Sequence, residues 1–124
     1  MKIYIVIAAY NEEKNIENIL KSLLNFNYNI IVVDDGSTDK TEEIVKKYPV
    51  ILLKHSINRG QGASLATGTE YAYQKGVEIV VHFDADGQHL TSEISRIIEP
   101  LLQKEVEIVL GSKFLQKNKI PFFK

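Results

Sequence analysis

Residues 79–89 read Ile-Val-Val-His-Phe-Asp-Ala-Asp-Gly-Gln-His, an apolar run that stops at two carboxylates separated by one residue. A short continuous apolar run of this kind is the pattern of a strand buried on both faces. Positions i and i+2 of a strand project to one side, so Asp84 and Asp86 share a side. Carboxylates held that close repel each other unless a cation lies between them. Hard oxygen ligands suit Mg²⁺ or Mn²⁺ bound together with substrate phosphates. The segment reads as a metal–diphosphate site on the rim of a sheet. The same residues also suit a tight turn, because Asp and Gly favour turns. Gln88 and His89 are close enough to add a ligand or a phosphate contact, although a lone histidine is more often structural.

Strand-like and helix-like patterns alternate on the N-terminal side of this stretch. Ile3 to Ala8 is a short continuous apolar run, expected as the first strand. Ile16, Ile19, Leu20, Leu23 and Leu24 then fall on one stripe of a helix. Ile30 to Val33 is a second buried strand, and Ser37 or Thr38 is placed to cap a helix carrying Ile44 and Val45. Val50 to Leu53 reads as a third strand. Gly60 to Lys75 reads as a helix ended by Gly76. Val77 to Phe83 is the fourth strand. Beyond the carboxylates, Thr91 or Ser92 can cap a helix with the stripe Ile94, Ile97, Ile98, Leu101 and Leu102, kinked or divided by Pro100. Val106 to Leu110 is a fifth strand. The order predicts one α/β domain over residues 1–124, with a mostly parallel sheet, right-handed crossovers and flanking helices.

The bulk composition narrows the function. The chain has 124 residues, 44 % hydrophobic and 25 % charged, enough for one domain with a core of its own. A formal net charge of −1 provides no basic field, which argues against general nucleic-acid binding. The absence of cysteine excludes disulfides, thiolate zinc sites and a cysteine nucleophile, and fits a cytoplasmic protein. Met1 to Ile7 is too short for a signal peptide, and no apolar run approaches the roughly 18 residues of a membrane span.

Ligands of parallel α/β sheets bind beyond the carboxyl ends of the strands, and the polar clusters obey that rule. The first strand ends in Ala9-Tyr10-Asn11-Glu12, the second in Asp34-Asp35-Gly36-Ser37, and the third leads into His55-Ser56-Ile57-Asn58-Arg59-Gly60. The fifth ends in Gly111-Ser112-Lys113. Asp35 could accept a hydrogen bond from a base N–H or a ribose hydroxyl, or serve only a turn and helix cap. Gly60, Gly62 and Gly68 do not fit the dinucleotide fingerprint, because residue 65 is Leu and the glycines follow the third strand. Gly60-Gln61-Gly62-Ala63 reads either as a close-packed helix entrance or as amides facing a ligand. Tyr71 and Tyr73 read as partly buried packing residues, and Lys46-Lys47 as a solvated face.

Five motifs in order resemble one family: Ala9-Tyr10-Asn11-Glu12, Val33-Asp34-Asp35-Gly36-Ser37-Thr38-Asp39, Asn58-Arg59-Gly60-Gln61-Gly62-Ala63, Asp84-Ala85-Asp86-Gly87-Gln88-His89 and Gly111-Ser112-Lys113-Phe114. The chain is similar to the nucleotide-binding half of inverting family 2 glycosyltransferases of the GT-A fold, especially the dolichyl- or polyprenyl-phosphate mannose and glucose synthases. The resemblance implies a nucleotide-sugar site. Tyr10 and Glu12 would contact the nucleoside, with Ala8 and Ala9 beside them, and Asp35 the base. Gly62 would line the site. Asp84, Ala85 and Asp86 would form the DXD-like element, with Asp84, Asp86 and Gln88 holding Mg²⁺ or Mn²⁺. Lys113 stands where these enzymes often carry an Arg that meets phosphate. Lys keeps the charge without the bidentate fork. Ala8 stands where Pro is common.

The resemblance also implies a UDP- or GDP-sugar donor and a lipid-phosphate acceptor or membrane-associated partner chain, at the cytoplasmic membrane face. The family's catalytic domain continues into an acceptor-binding half, so this chain is expected to stop short of that half. Two further readings remain: a nucleotide-sugar-binding module without turnover, and a nucleotidyltransferase. The second fits less well, because such enzymes carry a glycine-rich basic loop where this chain has Tyr10-Asn11-Glu12-Glu13.

Overall fold

The computed structural model describes residues 3–26, 28–77, 79–84, 107–110 and 113–116, with side chains as far as Phe83. The elements follow the order β1 (Ile3–Ala9), α1 (Ile16–Leu23), β2 (Asn29–Asp35), α2 (Thr41–Val45), β3 (Ile51–His55), α3 (Gln61–Gln74), β4 (Ile79–Asp84), β5 (Glu107–Leu110) and β6 (Lys113–Gln116). They form one sheet in the order β3-β2-β1-β4-β5-β6. Every neighbouring pair is parallel except β5–β6, which is antiparallel. The α/β class and the mostly parallel sheet are as the sequence predicts. β6 lies beyond the five strands that periodicity indicates, because Lys113–Gln116 carries too few apolar residues to stand out. The helix expected after Thr91, with Pro100 inside it, lies outside the described residues.

Strand polarity follows from alternation. In β1, Ile5, Ile7 and Ala9 point to one face, with Tyr4 and Val6 on the other. The first face is covered by α1, whose Ile16, Ile19, Leu20 and Leu23 are buried, and by Val45 of α2. Ile30 and Val32 of β2 and Ile79, Val81 and Phe83 of β4 complete this core. The second face is covered by α3, through Ala72, Leu65 and Tyr71. Here Gly68 brings the helix against the strands: a Cβ on Gly68 would collide with Val6 Cγ1 and lie 3.2 Å from Val33 Cγ2. The helix ends as the sequence predicts, at Gly76 with φ 78°. Left-handed geometry of that kind is open to glycine at little cost. Tyr73, expected to be partly buried, is instead exposed, because it lies on the solvent side of α3.

The sheet reverses its winding between β1 and β4. From β1 the chain steps outward to β2 and β3, then returns to the other side of β1 for β4. Such a switch point opens a crevice at the carboxyl ends of the two central strands. Ala8 and Asp84 are Cα partners across that junction, and Ala9 is the partner of Asp34 on the β2 side.

Candidate functional site

The loop after β1 is built on one left-handed residue. Asn11 has φ 53°, a conformation Asn tolerates better than most side chains. Its side-chain oxygen accepts from the N–H groups of Thr38 at 2.8 Å and Asp39 at 3.3 Å. Its own N–H donates to Ser37 Oγ at 2.9 Å. Glu12 N–H donates to Thr41 Oγ1 at 2.9 Å, and Glu13 N–H to Asp39 Oδ2 at 3.2 Å. The β1–α1 and β2–α2 loops are therefore stitched together by side-chain-to-backbone bonds. Tyr10, immediately before this stitch, is left 45 % exposed at the mouth of the crevice, free to stack on a planar group.

The expected capping by Ser37 or Thr38 is not what the structure shows. Ser37 Oγ is taken by Asn11, and α2 begins at Thr41. Asp39 does the work of a cap instead, accepting from Thr41 N–H at 2.9 Å and from the Thr41 hydroxyl at 2.6 Å. Burial would raise the Asp39 carboxyl, but the Thr41 hydroxyl and the amides of Thr41 and Glu13 outweigh it and hold it below the usual range. Glu12 is also committed. Its carbonyl accepts from Asn15 and Ile16 N–H, and its carboxylate from Asn15 Nδ2 at 3.1 Å.

The two neighbouring aspartates of β2 face opposite ways, as strand alternation requires. Asp34 Oδ1 accepts from Ser37 N–H at 3.0 Å, closing the turn. Asp35 lies on the α3 face and is 3 % exposed. Its Oδ1 accepts from His55 Nδ1 and from Arg59 N–H, both at 2.8 Å, and its Oδ2 from Gly60 N–H at 2.8 Å. Burial pushes the Asp35 carboxyl up, yet the His55 bond and the two amide bonds together hold it below the ordinary carboxylate range. It is an ionised acceptor, so His55 Nδ1 carries the proton between them. His55 is the Cα partner of Asp35 in the β2–β3 register, and its Nε2 lies 2.9 Å from the Thr67 hydroxyl of α3.

The β3–α3 loop is closed over Asp35. Asn58 Nδ2 donates to the Asp35 carbonyl at 3.4 Å, and Gly36, with φ 75°, would put a Cβ 2.7 Å from Asn58 N. Of the two readings for Gly60–Ala63, neither holds at Gly60: its amide is taken by Asp35, and a Cβ there would meet nothing within 4 Å. Gly60 is required for its φ of 102°. Gly62 is exposed with open space around it, and the close-packed glycine of α3 is Gly68.

Ala8, Ala9, Tyr10, Glu12, Asp35 and the backbone of Asp84 thus gather at the carboxyl ends of β1, β2 and β4. Gly62 lies in the first turn of α3. Lys113 opens β6 opposite Leu110, at the carboxyl end of β5. Ala85, Asp86, Gln88 and His89 lie outside the described residues. Among the described residues no three acidic or histidine side chains cluster as a metal site, and no helix is long and apolar enough to cross a membrane. Two participants, His55 and Thr67, lie outside the five motifs and are visible only through strand pairing and loop contact. Asn11 and Asp39 lie inside motifs, but the bonds by which they join the two loops show only in the structure.

Comparison with known proteins places this arrangement. The chain is 43 % identical over 129 residues to UDP-N-acetylglucosamine–dolichyl-phosphate N-acetylglucosaminyltransferase of Methanococcus voltae, covering 90 % of this chain and 51 % of that protein. It is 31 % identical over 135 residues to dolichol-phosphate mannosyltransferase of Pyrococcus furiosus, covering 100 % of this chain and 37 % of that one. The chain thus spans about half the length, or less, of these curated relatives. Among solved structures it superposes on glucosyl-3-phosphoglycerate synthase of Mycobacterium tuberculosis in complex with Mn²⁺, UDP and glucosyl-3-phosphoglycerate. That match has a TM-score of 0.68 at 26 % identity and covers 84 % of this chain and 40 % of that one. The fold is that of the GT-A glycosyltransferases. Residues 4–123 match the family described as Glycosyl transferase family 2, and the chain belongs to that family.

Proposed function

We propose that this chain forms the donor-binding part of a glycosyltransferase that moves a sugar, with inversion, from a nucleoside diphosphate sugar to a polyprenyl phosphate. One observation carries this reading: the family match spans the same residues that bring exposed Tyr10, ionised Asp35 and the end of β4 together around the switch point of the sheet. Relatives named for dolichyl-phosphate acceptors support the acceptor class. Tyr10 would stack on the base, Asp35 would accept from it, and Asp84, Asp86 and Gln88 would hold Mg²⁺ or Mn²⁺. The cation would neutralise the leaving diphosphate. Glu12, Ala8, Ala9, Ala85 and Gly62 would line the nucleoside and diphosphate, and Lys113 would meet phosphate. A lipid phosphate is already anionic at neutral pH, so a strong base is less necessary than for a hydroxyl acceptor. Work on such an acceptor would place the protein at the cytoplasmic membrane face.

A second reading is a nucleotide-sugar-binding module without turnover, favoured by the gathering of donor-site candidates Tyr10, Asp35 and Asp84 at the carboxyl ends of β1, β2 and β4. Calorimetry with UDP- and GDP-sugars in Mn²⁺, beside an assay for polyprenyl-phosphate-linked product, separates the two. Metal-dependent binding with product supports the transferase, and binding without product supports the module. Asp86→Ala is expected to abolish metal-dependent binding and leave the fold intact. Unchanged affinity in Mn²⁺ would sink the metal assignment.

A further inference from the structure

We propose that the Asp35–His55 pair reads the base of the donor and selects uracil over guanine, an inference that rests on the donor-site reading above. An ionised carboxylate has about four lone-pair positions and no donor. Asp35 Oδ1 has already filled both of its positions, with His55 Nδ1–H and Arg59 N–H, each at 2.8 Å. Oδ2 holds one partner, Gly60 N–H at 2.8 Å. Among the described residues, one acceptor position is therefore left for a ligand.

Neither partner of Oδ1 is free to leave. The His55 side chain is 7 % exposed, and its far nitrogen lies 2.9 Å from Thr67 Oγ1, whose one hydroxyl proton serves either this nitrogen or the Ala63 carbonyl 3.0 Å away. The ring is held at both ends, between the end of β2 and the second turn of α3. Arg59 sits in a loop closed by the Asn58 bond to the Asp35 carbonyl and by the tight approach of Gly36 to Asn58 N. A carboxylate free at both oxygens can pair with two adjacent donors. This one is restricted by the fold to a single donor.

The bases differ in that respect. The guanine edge presents a ring N–H and an exocyclic amino group side by side, and a carboxylate reads both by using one oxygen for each. Uracil presents a single imide N–H between two carbonyls. Asp35 can satisfy the imide completely, but it would leave one guanine donor without a partner. An unsatisfied buried donor corresponds to a loss of about tenfold or more in affinity. His55 acts through Asp35 and is a positioning residue: it occupies the lone pair that a second guanine donor would need.

The test is calorimetric titration of the 124-residue chain with UDP and with GDP in the presence of Mn²⁺. UDP is expected to bind about tenfold tighter or more. His55→Leu frees a position on Oδ1 and is expected to bring the UDP-to-GDP ratio toward one. His55→Asn, whose amide can donate in place of Nδ1–H, is expected to keep the ratio near that of the parent chain. A His55 with only a structural role would weaken both nucleotides alike and leave the ratio unmoved, and that result overturns the inference. Equal affinities in the parent chain, or tighter GDP, overturn it as well and leave the donor-site reading standing. Binding of neither nucleotide overturns the donor-site reading, and this inference with it. Should His55→Leu lose the fold by circular dichroism, the ratio in the parent chain decides alone.

Discussion

The two faces of the sheet are made of different material. The face under α1 and α2 is built mainly from apolar side chains: Ile5, Ile7, Ile16, Leu20, Leu23, Ile30, Val32, Val81 and Phe83 are buried there, with Asp34 at its rim closing a turn. The face under α3 is thinner and mixed. Val6, Val33, Ala72 and Val80 share it with Gly68, Ser64, Thr69, His82, Asp35 and His55. Its buried polar groups are paired: Thr69 Oγ1 meets His82 Nε2 at 2.8 Å, Ser64 Oγ donates to the Gly60 carbonyl at 3.0 Å, and Asp35 and His55 hold each other. Burial of apolar area makes one face the main source of stability. Directional bonds on the other face fix the loop that carries the candidate site, since a buried polar network holds one arrangement when each member is satisfied.

The difference can be broken most sharply on the apolar face. Leu20 is fully buried between α1 and the strands, so Leu20→Ala removes its packing and leaves a cavity. The expected loss is about 2–5 kcal/mol in urea unfolding at neutral pH. A loss near zero would mean that this face is not the stability core.

The polar face is instead sensitive to acid. Burial pushes His82 down to about 4 from an ordinary value of 6.5. The unfolded chain then takes up the proton first as pH falls. The stability contributed by neutral His82 is complete above about pH 6.5 and is lost as pH drops towards 4, by roughly 3 kcal/mol. Asp35 and Asp39, both held below the usual carboxylate range, contribute stability that is lost only at lower pH still. Unfolding followed at pH 7 and pH 4.5 in the parent chain and in His82→Gln reads this directly. An identical pH dependence in the two proteins would remove His82 as the cause.

The smallest expected effect compares two glycines of the same helix. Gly68→Ala gains about 0.5–1 kcal/mol of helix propensity but drives a methyl group into Val6, a collision of the kind that costs about 1–3 kcal/mol. A net loss of about 1 kcal/mol is expected. Gly62→Ala meets open space, so the propensity gain stands alone and the protein is expected to be unchanged or slightly stabilised. Equal effects at the two positions in thermal unfolding would show that α3 does not approach the sheet as closely as the structure has it.

Much of the fold was legible in the sequence because its signals are local. The apolar runs from Ile3, Ile30 and Ile79 became β1, β2 and β4, and the Ile16–Leu23 stripe became α1. The sequence also placed Asp35 and Tyr10 at strand ends, where the sheet gathers them. It was less informative about what each side chain does there. Ser37 was expected as a cap and serves Asn11 instead, because the β1–α1 loop lies close enough to take its hydroxyl. Gly60 was read as packing or as ligand contact, yet its amide belongs to Asp35.

By itself the sequence determined the order of strands and helices, the burial of β1, β2 and β4, and the placing of polar clusters after the strands. These follow from periodicity and composition within short windows. Only the tertiary structure decided which of those clusters touch. Asp35 and His55 are 20 residues apart and neither belongs to a motif with the other. The parallel register of β2 and β3 sets them side by side, and strand alternation turns both toward α3, where Thr67 holds the ring. Asp34 and Asp35 are indistinguishable as text. The pleat sends one into a turn and the other into the candidate site, because successive side chains of a strand must leave by opposite faces.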